Sequence, residues 1–179
     1  AAGADILMLP MFSKVIEVEK FIEWTGKRAR TSILFETRES VEKIETFRGL
    51  DVDEVYVGLN DLGLSFGYVF QYQLVAEGLV DIVRENFPTS DFGFGGITIL
   101  DKGDPLPTRN IIKELARLKA NQVIIRRAFK RDILGRDMTL EVRRLKQFYS
   151  KCLALPPEHL EADHLVFIKT VEKLLTRII

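Results

Sequence analysis

The chain has 179 residues, with 26 Lys and Arg against 26 Asp and Glu, and its formal net charge is zero at pH 7. It is 46% hydrophobic and 29% charged and contains a single cysteine. Such a chain can bury a sizeable core, and its composition excludes a charged disordered tail, a disulfide framework and a four-thiolate zinc site.

Zero net charge argues against a nucleic-acid partner held through a broad basic face. No apolar run approaches the ~20 residues that span a bilayer, so no membrane partner is expected. Asp5 comes early, no basic segment precedes it, and no signal-peptide pattern is present. A reducing cytoplasm is the expected compartment.

In chain order, Ile6-Leu7-Met8-Leu9 reads as a short buried strand that stops at Pro10. Ser13 is placed to cap an amphipathic helix from Val15 to Trp24, and Gly26 to end it. Thr31 to Phe35 is a second strand, followed by a helix with Val41 and Ile44 facing inward. Glu54 to Val57 is a third strand, closed by Gly58, and Leu59 to Gly67 reads as a loop. A helix is expected from about Phe70 to Asn86, with Leu74, Leu79, Ile82 and Val83 in the core. Phe92 to Ile99 is a fourth, glycine-rich strand. Pro105 and Pro107 lead into a helix from Ile111 to Lys119, and Gln122 to Ile125 is a fifth strand. Trp24 and the phenylalanines are expected to fill the core.

This alternation implies βαβ units and a parallel sheet with helices outside it. From about Thr139 the rhythm changes to two helices separated by Pro156-Pro157, the last carrying Leu160, Leu165, Ile168, Val171, Leu174 and Leu175 at helical spacing. Residues 1–135 are therefore read as an α/β domain. Residues 136–179 are read as a helical extension for packing or oligomerisation, with a partner-binding helix as the alternative.

In a parallel α/β sheet, sites form at the C-terminal ends of the strands. Glu36 follows the apolar run Ile33-Leu34-Phe35, and Asp61 comes three residues after Gly58. They are 25 residues apart, one βα unit. Adjacent strands lie ~4.8 Å apart, so both carboxylates would project from one rim, close enough to share a cation. Oxygen donors with no His or Cys near in sequence suit Mg²⁺ or Mn²⁺ better than zinc. The competing reading is that Glu36 caps the following helix and Asp61 shapes a turn.

Glu36-Thr37-Arg38-Glu39-Ser40-Val41-Glu42 resembles the E-T-x-x-x-V-x segment of the HpcH/HpaI aldolase and citrate lyase β-subunit family. Gly58 to Gly67 resembles that family's G-P-x-D-L-x-x-S-x-G segment, and Leu7-Met8-Leu9-Pro10-Met11 its V-P-M strand end one unit earlier. Order and spacing agree for all three, and the likeness runs from Ala1 to about Phe129. Leu34 stands where aldolase members often carry Gln, and Leu59 where the family usually has Pro.

The resemblance implies a (β/α)₈ TIM barrel of the phosphoenolpyruvate/pyruvate type, incomplete here with about five βα units plus the helical extension. The first three family strands, which supply a substrate-binding Arg and a proton-transferring His, would precede Ala1. The expectation is therefore a piece of a longer protein, with a degenerate half-barrel as the alternative. The resemblance further implies that Glu36 and Asp61 bind Mg²⁺ or Mn²⁺ and that groups around Gly58 and Asn60 face a substrate carboxylate. The implied activity is metal-dependent carbon–carbon lyase (aldolase) chemistry on a pyruvate-like 2-keto acid through its enolate, in a homo-oligomer. A citrate-lyase-like acyl-CoA lyase and a non-catalytic binding or assembly protein on a decayed barrel are the alternatives.

Other features carry bland readings beside the sharper ones. Gly93-Phe94-Gly95-Gly96 suggests tight packing or a substrate-facing wall. Arg126 and Arg127 end the fifth strand, where such barrels often bind anions; Arg126 is the substrate-binding candidate, against a solvated pair. His159 and His164 read as surface residues, and Cys152 as a buried small hydrophobe.

Overall fold

The computed structural model describes residues 3–178. Ala1, Ala2 and Ile179, at the limits of the expected barrel segment and tail, lie outside the described residues. The fold is α/β with five parallel strands. They are β1 (Ile6–Leu9), β2 (Arg30–Phe35), β3 (Glu54–Val57), β4 (Asp91–Ile97) and β5 (Gln122–Ile125), in the order β1-β2-β3-β4-β5. β1, β2, β3 and β5 end where the expected apolar runs meet proline, charge or glycine, whereas β4 ends at Ile97, short of the expected Ile99. The chain divides into two compact units, one up to Phe94 and one from Gly95 onward, with β4 running through the division.

In the first unit the parallel register runs Leu9↔Ile33, Phe35↔Val57 and Val57↔Phe94. Its helices are α1 (Val15–Thr25), α2 (Arg38–Glu42), α3 (Leu59–Phe66), α4 (Gln73–Ala76) and α5 (Leu79–Asn86), with a 3₁₀ turn at Ile44–Phe47. Alternation along β2 sends Ile33 and Phe35 to one face, where both are fully buried. Phe35 packs edge-on against Phe12 at 4.9 Å and Phe47 at 5.8 Å, and lies 5.7 Å from Phe87. Burying each ring contributes roughly 1.5–3 kcal/mol, so this cluster anchors the strand ends above it. At the opposite, N-terminal end of the strands, Arg30 bridges Glu54 of β3 (3.4 Å) and Asp91 of β4 (2.5 Å). Asp53 accepts from the Thr31 amide at 2.8 Å and hydroxyl at 3.0 Å, pinning the start of β2 to that of β3.

Several expectations are corrected here. Leu59–Phe66 forms helix α3, where a loop from Leu59 to Gly67 was expected. Leu59 and Leu62 bury one face, and Gly67, at φ 77°, closes the helix in the left-handed conformation. The single helix expected from Phe70 to Asn86 is instead α4 and α5, parted at Gly78, whose φ of 77° is incompatible with a continuous helix. Its expected core residue Ile82 is exposed. The N-cap of α1 is Lys14, not Ser13. The Glu17 carboxylate, at the third helical position, reaches back to accept from the amides of both Ser13 and Lys14 at 2.8 Å, the acidic half of a capping box. Trp24 is 71% exposed, outside the core. Ile6, Leu7 and Met8 of β1 are all exposed rather than buried, because β1 is an edge strand.

The second unit contains α6 (Thr108–Arg117), α7 (Phe129–Asp132), α8 (Met138–Leu153) and α9 (Pro157–Ile178). Gly96 of β4 packs against β5: a methyl group built on it would lie 3.3 Å from Arg126 Cβ. Helix α6 buries Ile111, Ile112 and Leu115 and packs on α8 and α9. Cys152 is buried, and burial pushes its thiol pKa up, as suits an inert packing residue. His164 is not a surface residue: its Nδ1 lies 2.9 Å from Glu114 Oε2, and Glu114 is 1% exposed. Arg117 Nε completes that cluster at 2.9 Å, and Lys113 pairs with Asp163 at 2.6 Å. On α9, Phe167 and Val171 are buried, whereas Leu165 is exposed. No helix among the described residues is long and apolar enough to cross a membrane.

Candidate metal and carboxylate site

Three consecutive strand exits converge in the first unit. With Phe35 turned into the aromatic cluster, the next residue, Glu36, faces the other side of the sheet. The ladder continues one step past the last pair of β2 and β3, since the Gly58 amide donates to the Phe35 carbonyl at 3.0 Å. Glu36 therefore lies beside Gly58. A Cβ on Gly58 would meet Glu36 Cγ and Oε1 at 2.7 Å, so only a glycine leaves room for this carboxylate.

Helix α3 starts immediately after Gly58. The Leu62 amide donates to the Gly58 carbonyl at 3.0 Å, closing the first turn. Gly58 thus spends both its backbone groups on structure. The amides of Leu59, Asn60 and Asp61 occupy the first helical positions, where no intrahelical acceptor exists. Asp61 sits in this first turn, where the helix dipole favours a negative charge. Asn60 and Asp61 are both exposed.

The structure brings Glu36 and Asp61 within hydrogen-bond reach of each other. Glu36 is 8% exposed. Burial, then the negative charge of Asp61, push its pKa above the ordinary carboxylate value; the nearby Met11 amide pulls the other way. The Glu36–Asp61 hydrogen bond favours the protonated form further. Glu36 does not cap α2, which removes that part of the competing reading. The N-cap is Thr37, whose hydroxyl accepts from the Ser40 amide at 3.3 Å.

Two hard oxygen donors, one dry and one wet, held against a bare glycine, form a donor set that suits an oxygen-loving dication. Among the described residues no group of three or more His, Cys, Asp or Glu side chains could hold a metal ion. An ion at this place would therefore keep most of its coordination for water and substrate, as Mg²⁺ commonly does.

Arg126 belongs to the second unit. It is half-buried, whereas Arg127 is exposed, as strand alternation requires. Its Nη2 donates to the Asp104 carbonyl at 3.3 Å, and its buried Nε has no hydrogen-bond partner among the described residues. Sequence reasoning named Glu36, Gly58, Asn60, Asp61 and Arg126 but gave no role to the Met11 amide or the Thr37 hydroxyl. The Thr37 hydroxyl donates to the Phe12 carbonyl at 2.7 Å. Only the position of Thr37 directly after a strand-end Glu signalled it.

A scan of the chain against protein-family models finds no match, and a search of curated proteins finds none either.

Proposed function

We propose that the chain carries part of a metal-dependent carbon–carbon lyase site on an incomplete (β/α)₈ barrel, acting on a pyruvate-like 2-keto acid through its enolate. The observation that carries this reading is the meeting of the Glu36 and Asp61 carboxyls at the ends of adjacent parallel strands. The resemblance of the Glu36 to Glu42 and Gly58 to Gly67 segments to the HpcH/HpaI aldolase and citrate lyase β-subunit family gives it a chemistry.

In this reading Glu36 and Asp61 hold Mg²⁺ or Mn²⁺. The bound dication would supply Lewis-acid stabilisation for negative charge developing on a keto oxygen. The chain's own share is positioning. Gly58 keeps the space over its α-carbon open for Glu36. The amides of Leu59, Asn60 and Asp61, at the positive end of α3, are oriented to receive a substrate carboxylate. Within the second unit, Arg126 is proposed as an anion contact in its own right, its Nε being a donor without a partner among the described residues. Leu165 and Val166, 60% and 58% exposed on α9, give the extension an apolar surface for homo-oligomer assembly. A cytoplasmic setting accords with the single free cysteine.

Calorimetric titration with Mn²⁺ tests the reading directly. The wild-type chain should bind Mn²⁺, and Asp61→Asn should lose both that binding and any metal-dependent cleavage of a 2-keto acid. Equal Mn²⁺ affinity in the variant would overturn it.

A further inference from the structure

Resting on that reading, we infer that Thr37 is a positioning residue: its hydroxyl straps the residue that follows Glu36 to the exit loop of β1, and so keeps the Glu36 carboxylate against Gly58 and beside Asp61. The strap is short and buried. Thr37 Oγ1 donates to the Phe12 carbonyl at 2.7 Å across 25 residues of chain, and Thr37 is 9% exposed. Phe12, 2% exposed, is held from below by Phe35 and Phe47.

Met11 lies between this anchor and Pro10, and takes a φ of 56°. A non-glycine residue in the left-handed region carries a conformational cost and persists only where its surroundings impose it. The Met11 side chain cannot be the reason, since it is 59% exposed. The strained backbone brings the Met11 amide to the neighbourhood of Glu36. Glu36 then has a defined orientation: the amide on one side, the bare α-carbon of Gly58 on another and Asp61 beside it. Hydrogen bonds of this outer kind orient ligands, and their loss commonly weakens metal affinity by about 10–100-fold.

Three variants test the strap: Thr37→Val, which removes the hydroxyl at similar size; Thr37→Ser, which restores it; and Ser40→Ala. Ser40→Ala disturbs the start of α2 by removing the 2.7 Å bond from the Ser40 hydroxyl to the Thr37 carbonyl, but leaves the strap intact. Two readouts are taken: hydrogen exchange at the Met11 amide without metal, and calorimetric Mn²⁺ affinity. Thr37→Val should expose the Met11 amide to exchange and weaken Mn²⁺ binding by about tenfold or more. Thr37→Ser and Ser40→Ala should remain near wild type in both. Unchanged exchange and affinity in Thr37→Val would overturn the inference, as would Ser40→Ala matching Thr37→Val. A wild-type chain that binds no Mn²⁺ overturns the metal reading, while the Met11 exchange comparison still decides whether Thr37 sets the loop.

Discussion

The Glu36 carboxylate occupies the space that a side chain at Gly58 would need, with 2.7 Å between Glu36 Oε1 and the position of a Gly58 Cβ. The backbone of Gly58 is not the constraint, since its φ of −81° suits any residue. Gly58→Ala should therefore fold and displace Glu36. We expect a loss of Mn²⁺ affinity of about tenfold or more, read by calorimetry, with a stability cost of roughly 1–3 kcal/mol from overpacking in urea denaturation.

Glu36 also sets a pH dependence. Its folded-state pKa lies above the ordinary carboxylate value because it is buried and faces Asp61. The neutral form is therefore favoured by folding, and that contribution is lost as the pH rises through the folded pKa. Glu36→Gln should melt at a higher temperature than wild type at pH 7–8, with the difference shrinking in acid. Added Mn²⁺ should raise the melting temperature of the wild type and not that of the variant. Calorimetric scans across pH, with and without Mn²⁺, check both statements.

Asp53 behaves in the opposite sense. The Thr31 amide, and then its hydroxyl, hold the Asp53 carboxyl below its usual pKa despite some desolvation. A depressed carboxyl stabilises the fold above its unfolded pKa and loses that contribution as the pH falls through the folded one. Asp53→Ala should cost about 1–2 kcal/mol at pH 7, and the gap from wild type should narrow below the ordinary carboxylate range. Urea denaturation at neutral and acidic pH measures it.

The two histidines should separate cleanly. His164 partners the buried Glu114 at 2.9 Å, whereas His159 is exposed. His164→Ala leaves Arg117 to satisfy Glu114 alone and should cost roughly 1–3 kcal/mol, with faster proteolysis within α9. His159→Ala should change stability by less than about 0.5 kcal/mol.

How much of this was legible in the sequence depended on the kind of signal. The limits of β3 and β5 were read correctly because apolar runs stop abruptly at Gly58 and at Arg126. The pairing of Glu36 with Asp61 followed from one rule, that strand exits share a rim, together with the spacing of one βα unit. Helix α3 was missed because its glycines look like loop punctuation, while each has a use compatible with a helix. Gly58 is the N-cap, Gly67 the left-handed terminator, and Gly63 approaches the Gln71 backbone closely enough that a Cβ would lie 3.3 Å from it. Trp24 and His164 were misplaced for a common reason: residue type states what a side chain could bury, not which side of its helix meets a neighbour. The Met11 backbone was invisible, because an unusual φ leaves no mark in the choice of side chain.

The carboxyl pair is asymmetric toward solvent: Glu36 is 8% exposed and Asp61 lies open on the first turn of α3. Under the proposed reading, access to the pair would be one-sided: a proton or hydrated ion would arrive and depart past Asp61, and the sheltered partner would exchange through it. A substitution at residue 61 would then alter how fast an ion is taken up as well as how tightly it is held, whereas one at residue 36 would act chiefly on retention.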